Sequence, residues 1–572
     1  MVRIPAGFAT DGNAGKPRGL SLKRKMETWS NGDKWRNVKG MDTPATLIVA
    51  NPVGETENAR QYPPGAWPLD TPGGRYYAEW DGDAPVTREG QLIFFFQFLH
   101  AGGRWEEFLR GCPLHYTGNR GSGAPNVMGT VLLSVLSGHW RYAHINGVRG
   151  DGVNPGLLGI DGTVSEDAVR AAMKRIDEQA GLGWLSTQIL DCISPALGLP
   201  WILDIDTTVK TLYGNQQGAE IGYNPHKPGR PSHIYHSYFV ANLRISLGVE
   251  VRPGKQNAAA LGLPGLWRTL EKLPRSSWPT FARGDCAYGS EVSMLEFEAR
   301  GLPYLFKLRH TSKVKELVVR MMRRGEAWQD CGDGWQALES SIRLKGWTRE
   351  RRVILVRESP SRAPVETGGK ARRGKDRQGL LPNTTGAGWD AQATPWSGKI
   401  AVLVTSLDII AFPTQAMPRL YRERGDAENC YDELKNQWGW NGFTTSKLAP
   451  CRLMANLIAL IYNWWNLYLR FYDEGHHREA IRSRPMLMQG VARQLRSGGR
   501  STVRVSVLHE KGDLIAHAVT LISKELHSIR AITERWSVSQ RWTLLLTRLL
   551  RRWLGGKWLP GLPDEAALLL SG

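Results

Sequence analysis

Hydrophobic and polar positions follow two rhythms along this 572-residue chain. From Gln91 the rhythm is helical. LIFFFQFLH and VMGTVLLSVLSGHWRYAH read as packed helices, and Ser165 is placed to cap a third, with Glu166 and Asp167 in its first turn. From Trp201 the period shortens. WILDIDTTV alternates Ile202 or Leu203 with acids and ends in Thr-Thr, a strand signature. AEIGYNPH is a second strand candidate and YFVANLRISLGVEV a long third. A helical run at 258–273, a strand PTFARGD, a helix at 290–299 and a strand YLFKLR follow. Three strands, then helix–strand–helix–strand, predict an α/β fold with a mixed sheet flanked by helices.

Residues 311–396 interrupt that order. A basic helical piece, VKELVVRMMRR, precedes strand-like WQALESSIRL and RRVILVRE. The low-complexity stretch SPSRAPVETGGKARRGKDRQGLLPNTTGAG then reads as a flexible cationic loop. The sheet resumes at KIAVLVTSL, and a helix starts near Ala416. The expected divisions are an irregular basic arm (1–95), a helical region (96–200), a first core part (201–310), a β-rich insertion (311–396), a second core part (397–475) and a basic helical C-terminal region (476–572). The helical region is equally readable as a scaffold or as a DNA-binding module of helix-turn-helix type, since no recognition-helix pattern stands out. No repeat of 20–50 residues is visible.

Charge narrows the partner. Lys and Arg total 74 against 54 Asp and Glu, a net +20, which favours a polyanion, with nucleic acid ahead of an anionic membrane. The greasiest stretch, 454–469, is short for a membrane span and carries three Asn, so it is expected to be a buried helix. The six cysteines are scattered without a CxxC pair, which signals neither a zinc ribbon nor a redox dithiol. Reduced thiols and an N-terminus without an apolar signal core point to the cytoplasm.

The chemistry concentrates in a few acids. In YRERGDAENCYDELK, Tyr421, Arg424, Glu428 and Lys435 fall at offsets of 0, 3, 7 and 14. At about 100° per residue, these four share one stripe of a helix. Asp206 lies in a strand before Thr207 and Thr208, and Asp285 ends a strand ahead of a helix, where α/β sheets place ligands. Three acids from separate elements repel unless cations neutralise them, and Mg²⁺ prefers carboxylates with water and phosphate oxygens. Asp204 shares a strand face with Asp206, and Asp432 lies about 40° from Glu428 on the wheel, so both remain alternatives. An ordinary Arg424–Glu428 pair at i,i+4 would also account for part of the stripe.

The string Y-x2-R-x3-E-x6-K resembles the YREK signature of bacterial insertion-sequence transposases of the DDE type, which have a ribonuclease H-like core. The flanking text, LDIDTT, YGNQQGAEIGYNPHKPGRPSH, RGDCAYGS and NQWGWNGFTT, is similar to the subgroup called transposase DDE domain, group 1, over roughly residues 100–480. The resemblance implies Asp206, Asp285 and Glu428 as catalytic metal ligands. Asp206 is favoured over Asp204 because the family's first Asp precedes a Ser/Thr-Thr pair, and Glu428 over Asp432. It implies two Mg²⁺ (or Mn²⁺) ions, and Tyr421, Arg424 and Lys435 on DNA phosphates. It further implies double-stranded DNA as partner, a homodimer on two element ends, and a β-rich insertion in the 142 residues between Asp285 and Glu428. The implied reaction is cleavage at inverted terminal repeats and joining of 3′-hydroxyls to target DNA. Two rivals share much of this pattern, a ribonuclease H-like nuclease without joining and a non-catalytic DNA-binding protein. Tyr223, His226, Lys227, Arg230 and His233 are candidates for backbone contact. Trp328, Trp335 and Trp347 are candidates for stacking on an extruded base, with core packing the plainer reading of each. Trp438 and Trp440 are expected to pack beneath the signature helix.

Overall fold

The helical rhythm after Gln91 becomes α1 (Leu92–Ala101), α2 (Ala124–Leu136), α3 (Glu166–Arg175) and α4 (Glu178–Asp191) in a computed structural model of the chain. The Ser165 side chain accepts from the Ala168 N–H, capping α3 as its sequence implies. The structure describes residues 67–78, 82–116, 122–256, 259–359, 400–473, 475, 477–507 and 511–563. The arm up to residue 66 and the low-complexity stretch at 360–399 lie outside the described residues. Residues 67–78 form a hairpin of their own, Trp67–Thr71 against Gly74–Ala78.

Strand β1 (Ile202–Thr211) is an interior strand of a ten-stranded mixed sheet. On one side it pairs antiparallel with β2 (Pro231–Val240), which pairs antiparallel with β3 (Ile245–Pro253). On the other side, β4 (Phe281–Gly284) and β5 (Tyr304–Lys307) run parallel to it. Helices α5 (Leu263–Leu270) and α6 (Glu291–Ala299) make the crossovers that parallel strands require. The order β3-β2-β1-β4-β5 within a helix-flanked mixed sheet is consistent with a ribonuclease H-like core.

The strands differ from expectation in one respect. YFVANLRISLGVEV is not one strand but the end of β2, a tight turn at Ala241–Leu243, and β3. Arg244 turns the chain with φ 52°, and the Asn242 side chain accepts from the Ile202 N–H, so the turn is pinned to the neighbouring strand. AEIGYNPH contributes only a short strand, Glu220–Ile221.

After α7 (Ser312–Arg323), strands β6 (Trp335–Ile342) and β7 (Arg351–Glu358) extend the same sheet. β8 (Ile400–Thr405) joins β7 to β5, so the inserted strands are continuous with the core. The chain then forms α8 (Met417–Arg422), α9 (Gly425–Asn436) and α10 (Leu448–Tyr472).

Helix α10 contains the greasy stretch and is buried over most of its length. Among the described residues, no helix is long and apolar enough to cross a membrane. Its asparagines have a specific role. β3 is the outer strand of the sheet, and a bare strand edge leaves backbone groups unpaired. Asn463 accepts from the Ser246 N–H at 2.9 Å and donates to its carbonyl at 2.8 Å. Asn456 does the same for Val249 at 3.2 and 3.0 Å, and Asn466 donates to the Arg244 carbonyl. Seven residues of helix advance about 10.5 Å and three of strand about 10 Å, so the two repeats stay in step. Asn463→Ala strands both Ser246 groups in a buried site. We expect it to destabilise the fold by about 2–4 kcal/mol, read as a lower midpoint in thermal or denaturant unfolding, whereas replacement of exposed Asn441 has little effect.

The C-terminal region, expected to be helical, contains α11 (Ala480–Leu487), α12 (Gly512–Ile532) and α13 (Val538–Leu549), with a hairpin of β9 (Ala492–Ser497) and β10 (Arg500–Val505) between them. None of the six cysteines forms a disulfide, and four of them are buried.

Candidate active site

Period-two alternation sends Leu203 and Ile205 to one face of β1 and Asp204 and Asp206 to the other, opposite Phe239 and Ser237 of β2. The two acids on that shared face have different partners. Asp204 is fully buried in a two-pronged pair with Arg283 of β4, both contacts at 2.7 Å. Arg283 also donates to the Leu420 carbonyl. Asp204 is therefore consumed by the core. Asp206, two residues further along, lies just past the last pairing of β1 with β4, and its side chain is 18 % exposed.

Asp285 follows β4 directly and accepts from the Ala287 N–H at 2.9 Å. Glu428 lies on the first turn of α9 with its side chain 55 % exposed. Between them sits Arg424, almost completely buried, with one nitrogen 3.1 Å from Asp206 and another 2.9 Å from Glu428. The intrahelical i,i+4 pair exists, and the same guanidinium also bridges to the sheet. Burial pushes the Asp206 carboxyl well above the usual carboxylate range; Arg424 opposes this, and Asp285 and Glu428 add to it. The structure thus links two of the acids singled out in the sequence, Asp206 and Glu428, through Arg424, and Asp285 lies near enough to act on Asp206 electrostatically.

The signature residues do not share one continuous helix, as their spacing suggested. Tyr421 belongs to α8, and the chain turns at Glu423 and Arg424, where the Arg424 N–H bonds back only three residues to Tyr421. Gly425 is a weak helix former and sits at the join. All four residues still converge. The Tyr421 hydroxyl donates to the Gly284 carbonyl beside Asp285, and burial raises its pKa. Lys435 is half-buried; burial lowers its pKa, with Asp432 and Asp206 acting against that. Asp432 itself is exposed and accepts from Asn436.

Lys307, at the end of β5, belongs to the same cluster and was not anticipated. Burial lowers its pKa, while Cys286, Asp285 and Glu428 hold it up. The strand YLFKLR gave no sign of it, because its place depends on parallel pairing with β4.

Other candidates separate. His233 is buried in β2 and bonds the Gln217 carbonyl, so it has no surface to offer DNA; Tyr223, His226, Lys227 and Arg230 are exposed. Trp335 and Trp347 are buried, and Trp328 lies under the Arg357 guanidinium at 3.9 Å. Trp438 and Trp440 are buried behind α9.

On the far face of β1, Thr207 bonds both His236 and the Tyr288 hydroxyl. Burial lowers the pKa of His233 and His236 from 6.5 to about 4 each. A depressed base contributes stability above its unfolded pKa and loses it as pH falls towards the folded one. The protein should therefore lose stability from about pH 6.5 down to about 4, by on the order of 3 kcal/mol for each histidine. Thermal melts across that window check this, and His236→Gln should flatten the slope.

Three carboxylates are a suitable donor set for a hard divalent cation. Among the described residues, no three acidic, His or Cys side chains are grouped closely enough to hold an ion; the Arg424 guanidinium bridges Asp206 and Glu428.

Residues 197–464 match a family model described as Transposase DDE domain. Comparison with curated proteins returns no match. Among solved structures, the chain is similar to a piggyBac transposase in a synaptic complex with hairpin DNA, at 11% identity, with 85% of this chain and 90% of that chain covered and a TM-score of 0.35.

Proposed function

Since residues 197–464 belong to the transposase DDE domain family, we propose that the chain is a DNA transposase that cuts phosphodiester bonds at its element's inverted terminal repeats and joins the 3′-hydroxyl ends to target DNA. The observation that carries this reading is the buried Arg424 shared by Asp206 of β1 and Glu428 of α9, with Asp285, just after β4, acting electrostatically on Asp206.

Asp206, Asp285 and Glu428 would hold two Mg²⁺ (or Mn²⁺) ions. Such ions, when bound, activate the attacking oxygen and neutralise charge on the leaving one. The chain itself positions the reactants. β1 and β4 fix Asp206 and Asp285 on a packed sheet, and the exposed Glu428 can adjust from its helix. Arg424 neutralises the acids before DNA arrives, and its planar fork suits a phosphate once they are ligated. Lys435 and Tyr421 flank it as further phosphate contacts. Two protomers, each on one element end, would make the working assembly.

Joining separates this reading from a nuclease. Pre-cut element ends bearing free 3′-hydroxyls should be inserted into a supercoiled plasmid in the presence of Mg²⁺. Cleavage of uncut ends with no insertion of pre-cut ones would count against a transposase.

A further inference from the structure

The hairpin of β9 and β10 is not used by the site described above. Its strands are joined by a two-residue turn, Gly498-Gly499, with Ser497 facing Arg500 across it. Both glycines have positive φ, 55° and 75°, which matches the right-handed twist of a tight hairpin. Only Ala492 and Arg493 pair with a third strand, at Thr87 and Val86. Beyond them the ribbon stands alone, with the residues from Arg496 to Thr502 exposed.

Its composition is one-sided. The segment 491–507, VARQLRSGGRSTVRVSV, contains four arginines and no acid. Among the described residues, Arg496, Arg500 and Arg504 have no acidic partner. Arg493 and Arg504 face each other across the strands, so the positive charge runs from root to tip. An exposed ribbon also needs charge to discourage edge-to-edge pairing. That need alone would not exclude every acid from seventeen residues.

The root is firmly held. The Gly490 N–H bonds the Arg88 carbonyl, and the Gln494 N–H bonds the Pro85 carbonyl. The preceding helix, α11, is tied to α9, which carries Glu428. Glu433 accepts from the Ala480 N–H and from His477, and the Gln437 carbonyl accepts from Arg484.

We propose that this ribbon is a DNA-binding arm that lies in the major groove of the duplex the protein acts on, with Arg496, Arg500 and Arg504 on its phosphates and base edges. Two strands about 4.8 Å apart, with their side chains, fit a groove about 12 Å wide, and the charge is complementary. The inference rests on the DNA-transposase reading.

The test is binding of the full-length chain to a labelled duplex carrying the element's end, between about 50 and 200 mM salt. The triple variant R496A/R500A/R504A should bind at least about tenfold more weakly, with the slope of log K against log salt shallower by about three. The triple lysine variant should restore the slope. Thermal midpoints of both variants should equal that of the wild type, since the side chains are exposed. Unchanged affinity and slope in the alanine variant, with a wild type that binds DNA, would overturn the arm and leave the transposase reading standing. A wild type that does not bind DNA would overturn both.

Discussion

Asp206→Ala, Asp285→Ala and Glu428→Ala should each reduce DNA cutting by on the order of 10³ or more, while the variant proteins still fold. The size follows from the kind of catalysis. A phosphodiester cut by positioned cations relies on neutralising several charges at once, and losing an anchoring carboxylate removes several kcal/mol of that stabilisation. Position explains why folding survives. Glu428 is more than half exposed, and Asp206 holds a carboxylate against burial and against two like charges. With Asp206 removed, Arg424 keeps Glu428; with Glu428 removed, it keeps Asp206. Gel analysis of cut products beside thermal melts of the same preparations checks both halves. Near-normal cutting by any of the three variants would remove that acid from the site.

The neighbouring acid should behave in the opposite way. Asp204→Ala leaves the Arg283 guanidinium, 2 % exposed, without its counter-charge. Breaking such a pair from one side costs about 3–5 kcal/mol, a large part of the roughly 5–15 kcal/mol that holds a domain together. The expected result is a strongly lowered melting midpoint or insoluble protein. Replacing Asp204 and Arg283 together by apolar residues of similar size should recover much of the loss, because no orphaned charge remains. The double variant then gives a clean comparison: two positions apart on one strand, Asp206 would matter for chemistry and Asp204 for folding. A fully stable Asp204→Ala protein would contradict this assignment.

Much of the core was legible because its signals are local. The alternation in ILDIDTTVKT, the short hydrophobic strand before Asp285 and the cap at Ser165 each lie within about ten residues. Spacing alone also grouped Tyr421, Arg424, Glu428 and Lys435, although it missed the turn at Arg424 that divides them between α8 and α9. What spacing could not give is the choice between Asp204 and Asp206. They share a face, and only Arg283, 79 residues away, distinguishes them. Lys307 and the edge-capping asparagines were hidden for the same reason, since their partners lie on distant strands. The arginine ribbon did have a local signal, Gly-Gly between two alternating runs, masked by the helical segments around it.

The most direct measurement is cleavage of a labelled duplex carrying the element's end by wild type and by Glu428→Ala, each with Mg²⁺ and with EDTA. The account predicts a nick or break at the end of the terminal repeat only for wild type with Mg²⁺. Cutting that persists in Glu428→Ala, or in EDTA, would contradict the three-acid site. A wild type that binds the duplex tightly and cuts with neither Mg²⁺ nor Mn²⁺ would contradict catalysis altogether.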